Sequence, residues 1–130
     1  MITTDGTLVT KLSVSSVEDT VANLEAALTA RGLKLFAVID HSAEAEKAGL
    51  SLRDTRVVVF GSPQAGTPVM DAQPLAALDL PLKVLVWADG DQTKVTYTSP
   101  SALAARYGLG EELGGRLAGI EALTDAAVRS

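Results

Sequence analysis

Val57-Val58-Val59-Phe60-Gly61-Ser62-Pro63-Gln64-Ala65-Gly66-Thr67-Pro68-Val69-Met70, followed by Leu80-Pro81-Leu82-Lys83-Val84-Leu85-Val86, is the stretch on which the fold turns. It reads as an apolar strand, a Gly/Pro loop, a short helical piece and a second apolar strand. The unbroken valine run indicates a strand covered on both faces and therefore central in its sheet. Gly61 and Gly66 are expected at positive φ in a tight loop that Pro63 and Pro68 stiffen. Pro68 then suits the first position of a helical turn over 67–72. Pro74 restarts the chain into Leu75-Ala76-Ala77-Leu78.

Upstream, the segment 8–14 reads as a half-buried strand with Leu8, Leu12 and Val14 inward. Ser15-Ser16-Val17-Glu18 matches a capping box, in which Ser15 and Glu18 satisfy the orphan N–H groups of a helix start. Val17, Val21, Leu24 and Leu28 follow at helical spacing, and Gly32 stops the helix. A strand over 33–39 ends at Asp40-His41-Ser42, which caps a short helix over 43–48 closed by Gly49.

Downstream, a strand over 82–88 turns through Asp89-Gly90-Asp91-Gln92 into a strand over 93–98. Ser99-Pro100-Ser101 caps a helix over 102–107. A last helix over 111–128 turns Leu113, Leu117, Ile120 and Leu123 inward, weakened by Gly114, Gly115 and Gly119. This order predicts an α+β two-layer sandwich: a mainly antiparallel five-stranded sheet with helices packed on one face, in one domain over 1–130.

Composition closes several function classes. Cysteine is absent, which removes thiolate nucleophiles, disulfides and Cys-ligated metals and fits a cytoplasmic setting. The segment Met1-Ile2-Thr3-Thr4-Asp5-Gly6 lacks a basic and apolar leader, and no apolar run approaches the ~18–20 residues of a membrane span. Eleven Lys and Arg against sixteen Asp and Glu leave a net charge of −5, with the cations scattered singly. Counterion displacement from phosphates needs a basic patch, so neither nucleic acid nor an anionic membrane is expected as a partner.

The joint pattern resembles the bacterial and archaeal "domain of unknown function 302" family. The likeness runs through Ser16-Val17-Glu18-Asp19-Thr20, Ile39-Asp40-His41, Ala45 with Ala48-Gly49-Leu50, the stretch from Phe60 to Met70, and the stretch from Ala77 to Val86. The resemblance implies a compact α/β fold and a homodimer, and no agreed activity. Thr98-Ser99 departs from the Asn-Asp that the family would usually show there.

Among site chemistries, Gly61-Ser62-Pro63-Gln64-Ala65-Gly66 begins like a phosphate loop. Thr67-Pro68 then stand where Lys and Ser/Thr belong, so no charge meets a β- or γ-phosphate. Backbone N–H groups of Gly66, Thr67 and Val69 at a helix start are an alternative anion cradle. His41 is the single histidine; with no Cys and no Asp/Glu at ligand spacing, no metal site is expected. It stands either as part of a helix cap or in a ligand pocket, because its strand end and the Gly61 loop each lie beyond an apolar strand. Asp71 and Asp79 read as surface carboxylates, as do Glu111-Glu112, and Arg53 and Arg56 as ion-pair partners of Asp54.

The expected function is binding of a small molecule or anion in a pocket formed by His41, Phe60, Gly61, Ser62, Pro63, Gly66, Thr67, Pro68, Met70, Leu80 and Pro81. No catalytic residue is assigned and no cofactor is expected. The alternatives are an enzyme using His41 as general acid or base, with Ser62 and Thr67 as nearby hydroxyls, and a dimeric interaction module without catalysis.

Overall fold

A computed structural model describes residues 2–3 and 6–129. Of the N-terminal stretch read above, Met1, Thr4 and Asp5 lie outside the described residues. The strands are β1 (Ile2–Thr3), β2 (Leu8–Ser13), β3 (Lys34–Asp40), β4 (Thr55–Gly61), β5 (Leu82–Asp89) and β6 (Gln92–Thr98). They form one sheet in the order β1-β2-β6-β5-β4-β3, and every pairing is antiparallel. The α+β architecture is the expected one, with the short β1 added to the five strands. β4 is an interior strand, one place from the β3 edge, and not the middle of the sheet.

The core lies on the face covered by α1 (Val17–Ala30) and α6 (Gly119–Arg129). Val9, Val58, Phe60, Val84, Val86, Val95 and Tyr97 point inward and meet Leu24, Leu28, Ile120 and Leu123. Each fully buried Leu or Val among them stabilises the fold by about 1.5–3 kcal/mol relative to exposure. A second cluster, Val69, Ala76, Leu103 and Leu117, packs at one end of the sheet, and Leu82 touches both clusters. It joins α3 (Pro63–Ala72), a 3-10 helix at Pro74–Asp79, α4 (Pro100–Arg106) and α5 (Glu111–Gly115). The remaining helix, α2 (His41–Lys47), buries no residue.

Several boundaries differ from the sequence reading, each for a local reason. Ser16, not Ser15, caps α1: its hydroxyl accepts from the Asp19 N–H at 3.1 Å. Gly32 does close that helix, at φ 66°. Inward and outward are exchanged along β2. Val9 and Lys11 are buried, whereas Leu12 and Val14 are 50% and 78% exposed. Lys11 is tolerated inside because its ammonium donates to the Glu121 carbonyl at 2.9 Å and the Thr124 hydroxyl at 2.7 Å. It also pairs with Asp125 at 2.9 Å, so all three N–H groups find acceptors. The last helix is two helices, parted by a turn at 116–118 where the glycines weaken it.

The Gly/Pro segment differs most. It is not a loop of left-handed glycines: neither Gly61 nor Gly66 has positive φ. Gly61 ends β4, and α3 starts at once from Pro63, with Ser62 as its N-cap and the Ala65 N–H donating to the Ser62 hydroxyl at 3.3 Å. Pro68 therefore sits inside α3, where it removes one helical N–H, and does not begin it.

Candidate functional site

In an antiparallel sheet, consecutive strands end at opposite rims. Lys34 pairs with Gly61, and at the far end of the same two strands Asp40 pairs with Arg56. His41 follows Asp40 and Ser62 follows Gly61, so at ~3.3 Å per residue the two lie about 20 Å apart along the strand direction. His41 is thus not beside Ser62, Thr67 or the Gly61 segment, and the pairing of histidine with either hydroxyl is not formed.

At the Gly61 rim the chain forms a half-open cavity of about 250 Å³. Phe60, Gly61, Ser62, Pro63, Gly66, Thr67, Met70, Leu80 and Pro81 line it together; Pro68 and His41 do not. β4 supplies one wall, α3 leaves from its end to supply the second, and the Leu80-Pro81-Leu82 entry to β5 supplies the third. Gly61 matters here through closeness: a Cβ on it would touch the Phe36 ring and Pro81 at 3.5 Å each. Along α3, a Cβ on Gly66 would meet only the Met70 methyl, at 3.7 Å. Glycine at that helical position leaves space that any larger side chain would occupy.

The rest of the lining was missed by the sequence reading. Leu33, Phe36, Ala65 and Leu82 complete the apolar walls, and Arg116, Leu117, Gly119 and Ile120 arrive from the turn between α5 and α6. The signal was present in Gly114, Gly115 and Gly119, which read as mere weakness in one helix but mark the break that turns this segment over the cavity. Arg116 is the one charged side chain in the lining.

The polar groups near this rim are mostly committed to structure. The Ser62 hydroxyl donates to Gln64 Oε1 at 3.1 Å while capping α3. The Gly66 N–H donates to the Ser62 carbonyl at 2.8 Å and is part of the helical ladder, so it is not open for an anion cradle. Asp79, just before the Leu80 wall, is an anchor and not a plain surface carboxylate. The Tyr107 hydroxyl donates to it, and Arg106 pairs with it at 2.9 Å. Those contacts, Tyr107 first, hold its carboxyl below the usual range, and the same bond raises the Tyr107 phenol. Asp71 is exposed on α3 and shares nothing with Asp79.

At the opposite rim His41 is exposed at the start of α2, and the capping is done by Asp40. Asp40 Oδ1 accepts from the Ser42 hydroxyl at 2.6 Å and the Ala43 N–H at 2.9 Å, which holds its carboxyl below the ordinary range. Arg56 lies 3.5 Å from Asp40 and 3.2 Å from Asp54, and Arg53 reaches Asp89 at 3.7 Å. This is a solvated charge network that fixes α2 to the start of β4. Among the described residues no cluster of three or more His, Asp and Glu has the geometry to hold a metal ion.

The sequence profile of the family described as "Domain of unknown function DUF302" matches residues 9–127. Among solved structures, that of an uncharacterized conserved DUF302 protein from Bacillus stearothermophilus is similar at a TM-score of 0.79 and 20% identity, covering 93% of this chain and 94% of that one. That likeness shows the fold. Among curated relatives, "Fluoride-specific ion channel FluC 1" of Brucella suis biovar 1 (strain 1330) is 39% identical over 107 residues, 82% of this chain. "Fluoride-specific ion channel FluC 2" of Brucella melitensis biotype 1 matches at the same 39%. The chain spans about two fifths of the length of these relatives, 42% and 40% respectively. Among the described residues no helix is long and apolar enough to cross a membrane.

Proposed function

The chain belongs to the DUF302 family, and from that premise we propose that it is a small-molecule-binding domain whose site is the cavity at the Gly61 rim. The observation that carries this reading is a hollow of about 250 Å³ walled by Phe36, Phe60, Met70, Leu80, Leu82 and Leu117. An engineered apolar hole of ~150 Å³ already holds benzene, and this cleft is larger, with one side open to solvent. A carbon-rich ligand fits such walls. Fluoride, named for the Brucella relatives, does not suit walls that are almost wholly apolar, because a small strongly hydrated anion gives up more hydration there than the single lining cation, Arg116, returns.

The test uses 1-octanol as the apolar probe in thermal unfolding. The wild-type protein is stabilised, by ~2.7 kcal/mol at a hundredfold excess over Kd. Gly66→Leu, which places a side chain against Met70 inside the cavity, folds and loses the stabilisation. Equal stabilisation of both proteins would refute the site.

A second reading, a homodimer, is favoured by the outer face of the sheet. Register places Ile39, Val57 and Leu85 side by side in one row across β3, β4 and β5. Ile39 is 41% exposed. Pairing of two copies through this row supports a dimer that Leu85→Lys dissociates; sedimentation showing a monomer in the wild type would end the reading.

A further inference from the structure

We infer that the cavity selects a small amphiphile carrying one anionic head, a short-chain alkyl or aryl monocarboxylate, with Arg116 as the residue that receives the head. The inference rests on the binding reading above and adds the class of ligand. Three observations lead to it.

The first is the distribution of charge. The chain carries sixteen acidic side chains against eleven basic ones, yet the lining holds no carboxylate and a single cation, Arg116. A second cation stands at the same rim: the Lys34 ammonium lies 4.9 Å from the centroid of the Phe36 ring, which is part of the wall, and Lys34 is the register partner of Gly61. Two positive groups at the edge of an apolar hollow in an acidic protein set a field that attracts anions and repels cations.

The second is that Arg116 is available. Its partner is Glu112, one turn back, at 3.5 Å, with the glutamate side chain 85% exposed. An exposed pair of that kind is weak, so a carboxylate arriving from the cavity displaces it easily. The guanidinium then offers two parallel N–H donors matched to the two oxygens of the head.

The third is size and polarity. At ~30 Å³ for a water-sized unit, 250 Å³ admits about eight non-hydrogen atoms. The hydroxyls of Ser62 and Thr67 are the polar side chains in the wall besides Arg116, and Ser62 is committed to capping α3. The body of the ligand is therefore apolar and its polar end lies at the Arg116 rim.

The experiment compares sodium octanoate with 1-octanol, two probes of nearly equal body that differ in the head, by calorimetric titration of wild type, Arg116→Gln and Lys34→Gln. Octanoate is expected to bind the wild type at least tenfold tighter than octanol. Arg116→Gln loses about tenfold for octanoate and less than threefold for octanol; Lys34→Gln loses two- to threefold for octanoate. Unaltered melting of the free variants keeps folding out of the comparison. If octanol binds as well as octanoate, or Arg116→Gln leaves octanoate untouched, the head-group assignment is wrong while the cavity site stands. If neither probe binds the wild type, both readings fall.

Discussion

At one end of β4 the chain leaves through Gly61-Ser62-Pro63 into α3, and a half-open hollow lies there. At the other end it enters through Arg53-Asp54-Thr55, and the contacts there are ion pairs and cap bonds among Asp40, Ser42, Asp54 and Arg56. Both ends looked alike in the sequence: an apolar strand running out into a turn with a candidate polar residue. What separates them is what meets the strand end. The Gly61 rim is roofed by side chains from α3, the entry to β5 and the α5–α6 turn, which touch one another without filling the space. The His41 rim carries the short helix α2, in which no residue is buried, and charged side chains meet there instead.

The largest effect that should distinguish the ends comes from Phe60→Ala. Phe60 is 3% exposed and belongs to both the core and the cavity wall, so truncation is expected to cost about 3–5 kcal/mol in denaturant unfolding. A loss under 1 kcal/mol would mean that the rim is already loose. Next, Asp40→Ala removes the α2 cap and is expected to cost about 1 kcal/mol, with no change in octanol binding at the other end. A loss of binding would join the two rims that the structure keeps apart.

Acid should affect both ends in the same direction. Asp40 is held low first by the Ser42 hydroxyl, and Asp79 first by the Tyr107 hydroxyl. A carboxylate depressed in the folded state contributes stability that is present above its unfolded pKa, about 3.9, and is lost as pH falls through the lower folded value. The melting temperature should therefore drop below about pH 4, and drop less steeply in the double variant Asp40→Asn/Asp79→Asn. An identical slope in that variant would remove both groups from the account.

Gly66→Ala gives a smaller and opposite change. Because Gly66 is helical and the new methyl meets only Met70 at 3.7 Å, it is expected to stabilise by about 0.5–1 kcal/mol through helix propensity. The smallest effect belongs to His41→Ala, within ~0.5 kcal/mol and silent in binding.

The fold was legible because its signals are local and redundant. Helical spacing in α1, the Gly32 stop and the Gly90 turn between β5 and β6 (φ 59°) each point to one solution. The cavity wall along 60–70 and 80–81 was legible for the same reason, since those residues are consecutive. Two things were not. Placing His41 with the Gly61 rim assumed that strand C-termini gather at one edge, which holds for parallel sheets and fails where β3 runs against β4. Arg116 and Gly119 come from the far end of the chain, and no periodicity in sequence says that a broken helix folds over a cavity. The inversion of β2 has another cause: both faces of this sheet carry apolar side chains. Alternation alone chose Leu12 over Val9, and Lys11, buried by three specific acceptors, offered no apolar cue.

We propose the cavity at the Gly61 rim, and not the His41 end, as the binding site. Backbone amide chemical-shift mapping during titration with 1-octanol tests it most directly. Saturable shifts are expected over 60–67, 80–82 and 116–120, with 40–43 unmoved. Shifts centred on 40–43, or none along 60–67, would contradict it.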